Sequence, residues 1–163
     1  MSCQCKEEIE RKFLLTEFPS HLFPFEHGIV YQGYVLSTDE EELRIREQIP
    51  YNDNYESIYT ICHKTKGDLS RTETEQPIEK AIYDCLLKII YPKQLIKKEY
   101  QHYKLDGYIV ECNRVDEYWM YCEVEFDTIE DANNFVKPDW FGAEVTSDKY
   151  YKLNQYWKMS RGT

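Results

Sequence analysis

The chain is 163 residues long, 42% of them apolar and 15% aromatic, and its formal net charge at pH 7 is −10. This size and composition predict one folded domain over residues 1–163, structured from about residue 6 to residue 157, and they exclude a disordered chain. The acidic charge excludes the broad basic surface that an extended nucleic acid requires, so we expect no such partner.

The first half of the chain alternates apolar and polar residues in a way that predicts five β-strands. The predicted strands cover residues 8–15, 29–36, 42–46, 55–64 and 71–75. Residues 19–25 contain two prolines and predict a connector or a short helical turn, and residues 37–40 and 66–68 predict tight turns. A helix should begin at Pro77 and end at Pro92, because proline is tolerated in the first turn of a helix and stops a helix elsewhere.

The apolar residues of this helix recur at helical spacing and predict the face that covers the sheet. They are Ile78, Ala81, Ile82, Cys85, Leu86 and Ile89. Three more strands are predicted at residues 95–103, 108–115 and 118–126. Asp106-Gly107 forms a tight turn between the first two of these strands. Residues 130–136 predict a short helix, and Ser147 is expected to cap a last helix over residues 148–157.

Six cysteines without a secretion signal are expected to be reduced, and neither they nor the scattered histidines have the spacing of a metal site. No stretch has the roughly 18 apolar residues that crossing a bilayer requires, and the polar N-terminus lacks the apolar core of a signal peptide. We therefore expect a cytoplasmic protein with no membrane partner.

Most of the predicted strands carry charged residues on one face. In chain order these are Glu8, Glu10, Lys12, Arg44, Arg46, Lys64, Arg71, Glu73, Glu75, Glu111, Glu123 and Glu125. The opposite faces carry apolar residues, among them Ile9, Phe13, Leu43, Ile45, Ile61, Val110 and Val124. Eight strands joined mainly by short turns predict an α+β, mainly β fold, in which an antiparallel meander closes into an eight-stranded β-barrel with flanking helices and a C-terminal helix. The apolar faces would then lie outside, under the helices, and the charged faces would surround a tunnel. A sandwich whose charged faces meet solvent is the alternative.

The mixture of basic residues and glutamates on these faces indicates the chemistry of a ligand. Burying such groups is costly unless they pair with one another or meet an ionic ligand. A polyphosphate with divalent metal ions would use both kinds of residue. Guanidinium and ammonium groups neutralise phosphate oxygens, and carboxylates hold Mg²⁺ or Mn²⁺ through hard oxygen contacts.

Several short motifs follow one another along nearly the whole chain. They are Glu8-x-Glu10-x-Lys12, Gln32-Gly33-Tyr34, Leu43-Arg44-Ile45-Arg46, Lys64, Arg71-x-Glu73-x-Glu75, Glu123-Val124-Glu125-Phe126, and residues 140–146 with Asp148, Tyr151 and Asn154. In this order they resemble the CYTH family, whose members are also called triphosphate tunnel metalloenzymes. The resemblance implies a closed eight-stranded barrel whose tunnel binds a triphosphate, in a stand-alone member of bacterial type.

The resemblance also implies roles for individual residues. Six basic side chains would grip the triphosphate: Lys12, Arg44, Arg46, Lys64, Arg71 and Lys97. Six carboxylates would bind one or two Mg²⁺ or Mn²⁺ ions: Glu8, Glu10, Glu73, Glu75, Glu123 and Glu125. Lys12, Tyr34 and Glu111 would be catalytic, with Lys12 and Tyr34 positioning the nucleophile or moving a proton and Glu111 ordering a water. One metal would hold the phosphate chain, and a second would orient a water for in-line attack on the terminal phosphorus.

The strand predicted at residues 95–103 departs from the family pattern, in which a Lys-x-Arg pair is usual. The chain has Lys97-Lys98-Glu99 there, so one basic contact is lost if Lys97 and Glu99 face the tunnel. A register shifted by one residue would turn Lys98, Tyr100 and His102 toward the tunnel instead, and the sequence leaves both registers open.

The function that the resemblance implies is divalent-metal-dependent hydrolysis of a triphosphate. Tyr151 and Asn154 on the last helix would plug one end of the tunnel and favour a small substrate, inorganic tripolyphosphate. The alternatives are a class IV-type adenylate cyclase, a thiamine triphosphatase, an RNA 5′-triphosphatase, and a non-catalytic protein that binds polyphosphate or nucleotides. A homodimer formed through aromatic residues on the outside of the barrel is also compatible with the sequence.

Overall fold

The alternating segments of the sequence form eight β-strands in the computed structural model, which describes residues 4–90 and 95–161. The strands are β1 (Gln4–Leu15), β2 (Glu26–Ser37), β3 (Glu41–Pro50), β4 (Ile58–Thr65), β5 (Ser70–Pro77), β6 (Ile96–Leu105), β7 (Tyr108–Val115) and β8 (Trp119–Glu125). The helices are α1 (Lys80–Ile90), α2 (Ile129–Asn134) and α3 (Leu153–Arg161), with a 3₁₀ turn at Lys149–Tyr151. Within the described ranges, each helix falls short of the length and apolar character needed to cross a membrane.

Neighbouring strands are antiparallel and close into a barrel in the order β1-β5-β4-β3-β2-β6-β7-β8. The predicted closed eight-stranded barrel is confirmed, but the simple meander is wrong, because β1 pairs with β5 and β8 and not with β2. Since β1 and β2 run in the same direction, residues 16–25 have to carry the chain back to the opposite end of the barrel. The α1 segment makes the same return between β5 and β6.

The hydrophobic core forms two clusters that lie mostly outside the barrel wall, although Tyr34 and Tyr121 of the second cluster also line the cavity. One cluster covers β1 and β6 to β8 and lies under α2 and residues 135–141. In it, Phe13 is fully buried and contacts the rings of Phe135 and Phe141, with centroids 6.2 and 5.0 Å away. The other cluster joins α1 and α3 to the barrel and includes the fully buried Ile45. Burial of these apolar side chains stabilises the fold without filling the inside of the barrel.

Gly33 allows α1 to lie close against β2. A Cβ at this position would be 2.5 Å from Cδ1 of Ile90 and 2.8 Å from Cδ2 of Leu95, which is too close for an ordinary contact. The neighbouring residues Gln32 and Tyr34 point the other way, into the barrel, because side chains alternate along a strand. The motif Gln32-Gly33-Tyr34 therefore joins the packing of the helix to the tunnel wall.

The predicted start of α1 is wrong. Pro77 is the last residue of β5, and the N–H of Ile78 donates to the carbonyl oxygen of Tyr59 at 2.9 Å. This hydrogen bond continues the pairing with β4 past the proline, so the helix begins only at Lys80. Pro92, the predicted end of the helix, lies outside the described residues.

The predicted packing face of α1 is only partly confirmed. Ile78 and Leu86 are partly buried against the core, but Ile82, Cys85 and Ile89 are exposed. The fully buried residues of the helix are Tyr83 and Ile90, which were not in the predicted set, so the face that meets the outer surface of β2 to β4 is rotated from the predicted one.

The last helix begins later than predicted. Asp148, and not Ser147, acts as a cap, since its side chain accepts a hydrogen bond from the backbone N–H of Tyr150 at 3.0 Å. It caps the 3₁₀ turn, and α3 then begins at Leu153. Lys152 alone separates the 3₁₀ turn from α3, and its backbone is extended.

The outer core predicts a contrast between two phenylalanines. Phe13→Ala should lower the free energy of unfolding by about 3–5 kcal/mol, because it removes a fully buried ring and leaves a cavity. Phe23→Ala, at a side chain that is 94% exposed, should change it by less than about 0.5 kcal/mol. Urea denaturation followed by fluorescence measures both, and equal losses would contradict the packing described above.

Candidate active site

The inside of the barrel is a cavity of about 460 Å³ whose wall is mostly charged. Each of the eight strands contributes at least one ionisable side chain. These are Lys6, Glu8, Glu10 and Lys12 of β1, Glu26 of β2, Glu42, Arg44 and Arg46 of β3, Lys64 of β4, Arg71, Glu73 and Glu75 of β5, Lys98 and His102 of β6, Glu111 of β7, and Glu123 and Glu125 of β8. The charged faces of the strands therefore point inward, and the alternative of a sandwich with charged faces in solvent is wrong.

Lys64 is the centre of one group of ion pairs. Its Nζ lies 2.8 Å from both carboxylate oxygens of Glu8 and 2.9 Å from Oε2 of Glu73. Arg71 Nε lies 3.1 Å from Glu8 Oε2, and Arg71 Nη2 lies 3.7 Å from Glu10 Oε1. Since the side chains of Lys64 and Glu8 are only 6% and 9% exposed, this pairing is what makes their burial tolerable.

Lys12 is the centre of a second group. Its Nζ lies 3.1 Å from Glu123 Oε1, donates to the carbonyl oxygen of Tyr151 at 3.2 Å, and lies 4.5 Å from the centroid of the Tyr121 ring. Lys98 reaches the same ring from β6, with Nζ 3.5 Å from the Tyr121 hydroxyl. Burial and the positive charge of Arg46 lower the pKa of Lys98 well below its usual range, so the site favours an added negative charge here.

Carboxylates crowd one another between these groups. Burial, followed by the negative charges of Glu123 and Glu8, raises the pKa of Glu10 well above its usual range. Burial also raises the pKa of Glu111, and the charge of Glu123 adds to the shift. Such crowding is relieved when a cation binds, and carboxylate oxygens are the donors that Mg²⁺ and Mn²⁺ prefer. The donor set therefore fits a hard divalent ion.

Glu73 and Glu75 form a further group of candidate ligands. Together with the thiol of Cys62 they bring three donor atoms within 4.8 Å of one another. Arg44 Nη2 lies 3.6 Å from Glu75 Oε2 on the same part of the wall. Cations and carboxylates thus alternate here as they do around Lys64.

Two guanidinium groups have a donor that the described protein does not satisfy. The Nε atoms of Arg44 and Arg46 are buried and have no hydrogen-bond partner within residues 4–90 and 95–161. Leaving a buried donor unpaired costs about 1–3 kcal/mol, and more for a charged group. Both donors belong to side chains that line the cavity, so the electrostatics of this part of the wall suit an anion.

The C-terminal segment lies across one end of the tunnel and contacts the three hairpin turns there. The contacts are hydrogen bonds from Lys152 Nζ to Asp68 Oδ1 (2.7 Å), from Asn154 Nδ2 to Ser37 Oγ (3.2 Å) and from Tyr156 OH to Asp116 Oδ2 (2.9 Å). We call this the closed end. Tyr151 and Asn154 line the cavity at this point, so the prediction that they lie at a tunnel end is confirmed by their position.

The opposite end, which we call the mouth, is exposed. Here the side chains of Lys6 and Glu125 are 50% and 48% exposed, and those of Glu26 and Glu75 are each 39% exposed. The mouth is therefore the end at which the charged wall is open to solvent, and the buried ion pairs lie deeper in the tunnel.

A model of the CYTH domain matches residues 6–154, nearly the whole chain. The chain belongs to the CYTH family. A curated relative named inorganic triphosphatase, from Nitrosomonas europaea, is 36% identical over 152 residues, which are 89% of this chain and 93% of the relative. A second relative of that name, from Acetivibrio thermocellus, is 29% identical over 150 residues, which are 89% of each chain.

Solved structures agree with the CYTH assignment. The structure of an inorganic triphosphatase superposes with a TM-score of 0.60 at 32% identity, and the match covers 91% of this chain and 93% of that one. A protein from Pyrococcus horikoshii shares the fold at 15% identity, with a TM-score of 0.57 and coverage of 93% and 89%.

All but one of the predicted CYTH site residues line the cavity. Those in place are Glu8, Glu10, Lys12, Tyr34, Arg44, Arg46, Lys64, Arg71, Glu73, Glu75, Glu111, Glu123 and Glu125. The prediction for Lys97 is wrong, because its side chain is exposed on the outside of β6. The alternative register is the one that forms: Lys98, Tyr100 and His102 face the tunnel, and Glu99 pairs with Arg114 outside it at 3.1 Å.

Several ionisable wall residues were absent from the sequence-based set, among them Glu26, which lies before the predicted start of its strand. Lys6 and Glu42 each precede a predicted site residue by two positions, Glu8 and Arg44 respectively, and therefore share its face. Extending the alternation by one step would have found them. On β6 both faces carry charge, so alternation alone had no means of choosing Lys98 over Lys97.

The ion pairs of Lys64 predict an unequal effect of two lysine substitutions. Lys64→Met should lower the free energy of unfolding by about 3 kcal/mol in metal-free buffer, because it leaves Glu8 and Glu73 buried beside too little positive charge. Lys66→Met is the matched control, since Lys66 is 66% exposed and pairs with Glu40 at 3.2 Å, and it should change stability by less than about 0.5 kcal/mol. Urea titration of both variants checks this, and a stable Lys64→Met protein would refute it.

Proposed function

We propose that this chain hydrolyses inorganic tripolyphosphate in a reaction that depends on Mg²⁺ or Mn²⁺. The observation that carries the proposal is the pair of buried, unpartnered Nε donors of Arg44 and Arg46 beside crowded carboxylates. The donors call for an anion and the carboxylates call for a cation, and a metal–polyphosphate complex supplies both. The two curated relatives named inorganic triphosphatase support this choice of substrate.

The basic residues of the deep part of the tunnel would bind the phosphate chain. They are Lys12, Arg44, Arg46, Lys64, Arg71 and Lys98. Lys98 replaces Lys97, which the sequence analysis had included in this set. Arginine suits the role because its planar group offers several donors to phosphate oxygens at once. Lys64 and Arg71 are engaged with glutamates, so substrate binding would rearrange their ion pairs.

The carboxylates would hold one or two divalent ions. The candidate ligands are Glu8, Glu10, Glu73, Glu75, Glu123 and Glu125. When bound, the ions would neutralise phosphate charge and make the phosphorus more electrophilic. Side chains of the protein would order the water, accept its proton and position the phosphate.

The reaction is attack of a water oxygen on the terminal phosphorus. The bridging P–O bond breaks, and orthophosphate and pyrophosphate are released. Glu111 would order the water and accept its proton, a role that suits a buried carboxylate whose pKa is raised. Lys12 would position the phosphate at the closed end, where it already contacts Glu123. Tyr34 would serve as a positioning donor, because burial raises its pKa and keeps the hydroxyl protonated.

The closed end supports a small substrate. The C-terminal segment contacts all three hairpin turns there, so a phosphate chain entering from the mouth would stop at Tyr151 and Asn154. A linear tripolyphosphate would fit in the tunnel without extending past Tyr151 and Asn154.

Removal of one arginine tests the proposal. Arg46→Ala should lower kcat/KM for tripolyphosphate by about 100-fold or more, because a preorganised cation at the phosphate chain is lost. Arg114→Ala, which removes an arginine outside the tunnel, should retain nearly wild-type activity. Ion chromatography of the products, with Mg²⁺, with Mn²⁺ and with a chelator, provides the measurement.

Three results would overturn the proposal: phosphate release that persists in chelator, full activity of Arg46→Ala, or a cyclic nucleotide formed from ATP. The last would assign the chain to the cyclases instead. Circular dichroism of each variant shows that a lost activity is not a lost fold.

A further inference from the structure

The mouth of the tunnel differs chemically from the deep part. Tyr100, Gln48 and Glu26 form a closed triangle of hydrogen bonds on its wall. Gln48 Nε2 donates to Glu26 Oε1 at 3.0 Å and contacts the Tyr100 hydroxyl at 2.9 Å, and that hydroxyl donates to Glu26 Oε1 at 3.2 Å. His102 lies beside them, with Nδ1 3.6 Å from Glu26 Oε2. We call these four residues the mouth cluster.

Positive charge is scarce at the mouth. The lysines and arginines of the cavity wall lie mostly in the deep part of the tunnel. The exceptions are Lys6, at the mouth, and Lys152, at the closed end. Lys6 is already paired with Glu125 at 2.8 Å, and His102 faces Glu26. Carboxylates of Glu26, Glu75 and Glu125 stand at the same opening. Across the described wall, the mouth therefore carries more negative than positive charge.

Tyr100 occupies the decisive position in this arrangement. It lies between Lys98 and His102 on the inward face of β6, and it is only 2% exposed. Its hydroxyl is held by hydrogen bonds to Gln48 and Glu26. Tyr100 is therefore a fixed neutral group at the inward position of β6 that follows Lys98 toward the mouth. A phosphoryl group beside it would meet the carboxylate of Glu26, and Arg46, one inward position deeper on β3 than Gln48, would be the nearest cation not already engaged in an ion pair with the described residues.

We propose that the mouth cluster limits the substrate to three phosphoryl groups, with Tyr100 as the specificity-determining residue. This inference rests on the function proposed above. A chain that stops at the closed end places its first phosphoryl groups among the deep cations. A fourth group reaches the mouth, where like charges repel it and the hydrogen bonds of Tyr100 leave little to neutralise it.

The experiment compares linear tripolyphosphate with linear tetrapolyphosphate. Wild-type protein should prefer tripolyphosphate by at least about tenfold in kcat/KM. Tyr100→Arg adds a cation beside Glu26 and should reduce this preference to less than about threefold, mainly by lowering KM for tetrapolyphosphate. Gln48→Lys adds a cation from the neighbouring strand and should act in the same direction, which keeps the test valid if Tyr100→Arg does not fold. Tyr118→Arg is the matched control, because Tyr118 is 86% exposed in the β7–β8 turn, and it should leave the preference unchanged.

Three kinetic results would overturn the length limit, and one binding result, given below, is the fourth. The kinetic results are a wild-type protein that hydrolyses both compounds equally well, folded Tyr100→Arg and Gln48→Lys proteins that keep the full preference, and a Tyr118→Arg protein that loses it. If the wild-type protein hydrolyses neither compound, the proposed hydrolysis fails, and calorimetric Kd values for the two compounds test the length limit separately. Equal Kd values would then be the fourth overturning result.

Discussion

The mutual neutralisation of buried glutamates and basic residues is the interaction on which the whole structure depends. Each strand of the barrel turns at least one ionisable side chain inward, so the wall of the cavity is mostly charged, with the rings of Tyr34 and Tyr121 packed among the charges. Lys64 meets this constraint by contacting both Glu8 and Glu73, and Lys12 meets it by contacting Glu123. Most of the apolar core therefore lies on the outer surface of the barrel, where Phe13 and its neighbours are covered by helices and loops. The barrel and the helices therefore depend on each other, since a barrel with a charged interior needs a hydrophobic layer on its outer surface to stabilise it.

The neutralisation inside the tunnel is incomplete in a way that matters for function. Among the described residues, the buried Nε donors of Arg44 and Arg46 have no acceptor, while Glu10 and Glu111 have raised pKa values because of burial and neighbouring negative charge. Each unsatisfied group matches one half of a metal–polyphosphate complex. The protein accepts strained electrostatics at these positions and keeps its outer core well packed, as functional sites commonly do.

The sequence was informative wherever a single physical rule decided the outcome. Alternation with a period of two placed Glu8, Arg44 and Glu123 on the inside, because the other face of each of their strands is mainly apolar. The rule failed on β6, where Lys97 and Lys98 offer charge to both faces and only pairing with β2 and β7 fixes the register. The packing face of α1 was only partly predicted for a related reason: apolar residues cover more than one side of the helix, and contacts of Ile90 with Gly33 and of Tyr83 with Tyr59 determine which side is buried. Strand order was beyond local reasoning, since nothing in residues 16–25 says which distant strand β1 will join.

The C-terminal segment, fixed to three turns by Lys152, Asn154 and Tyr156, makes the tunnel a blind passage. In the proposed reaction the substrate and both products would use the same opening, because two phosphate chains could not pass each other inside it. The fragment nearer the opening would have to diffuse away before the deeper one could follow. Each cycle would then be a strict exchange, in which the passage empties before it is filled again.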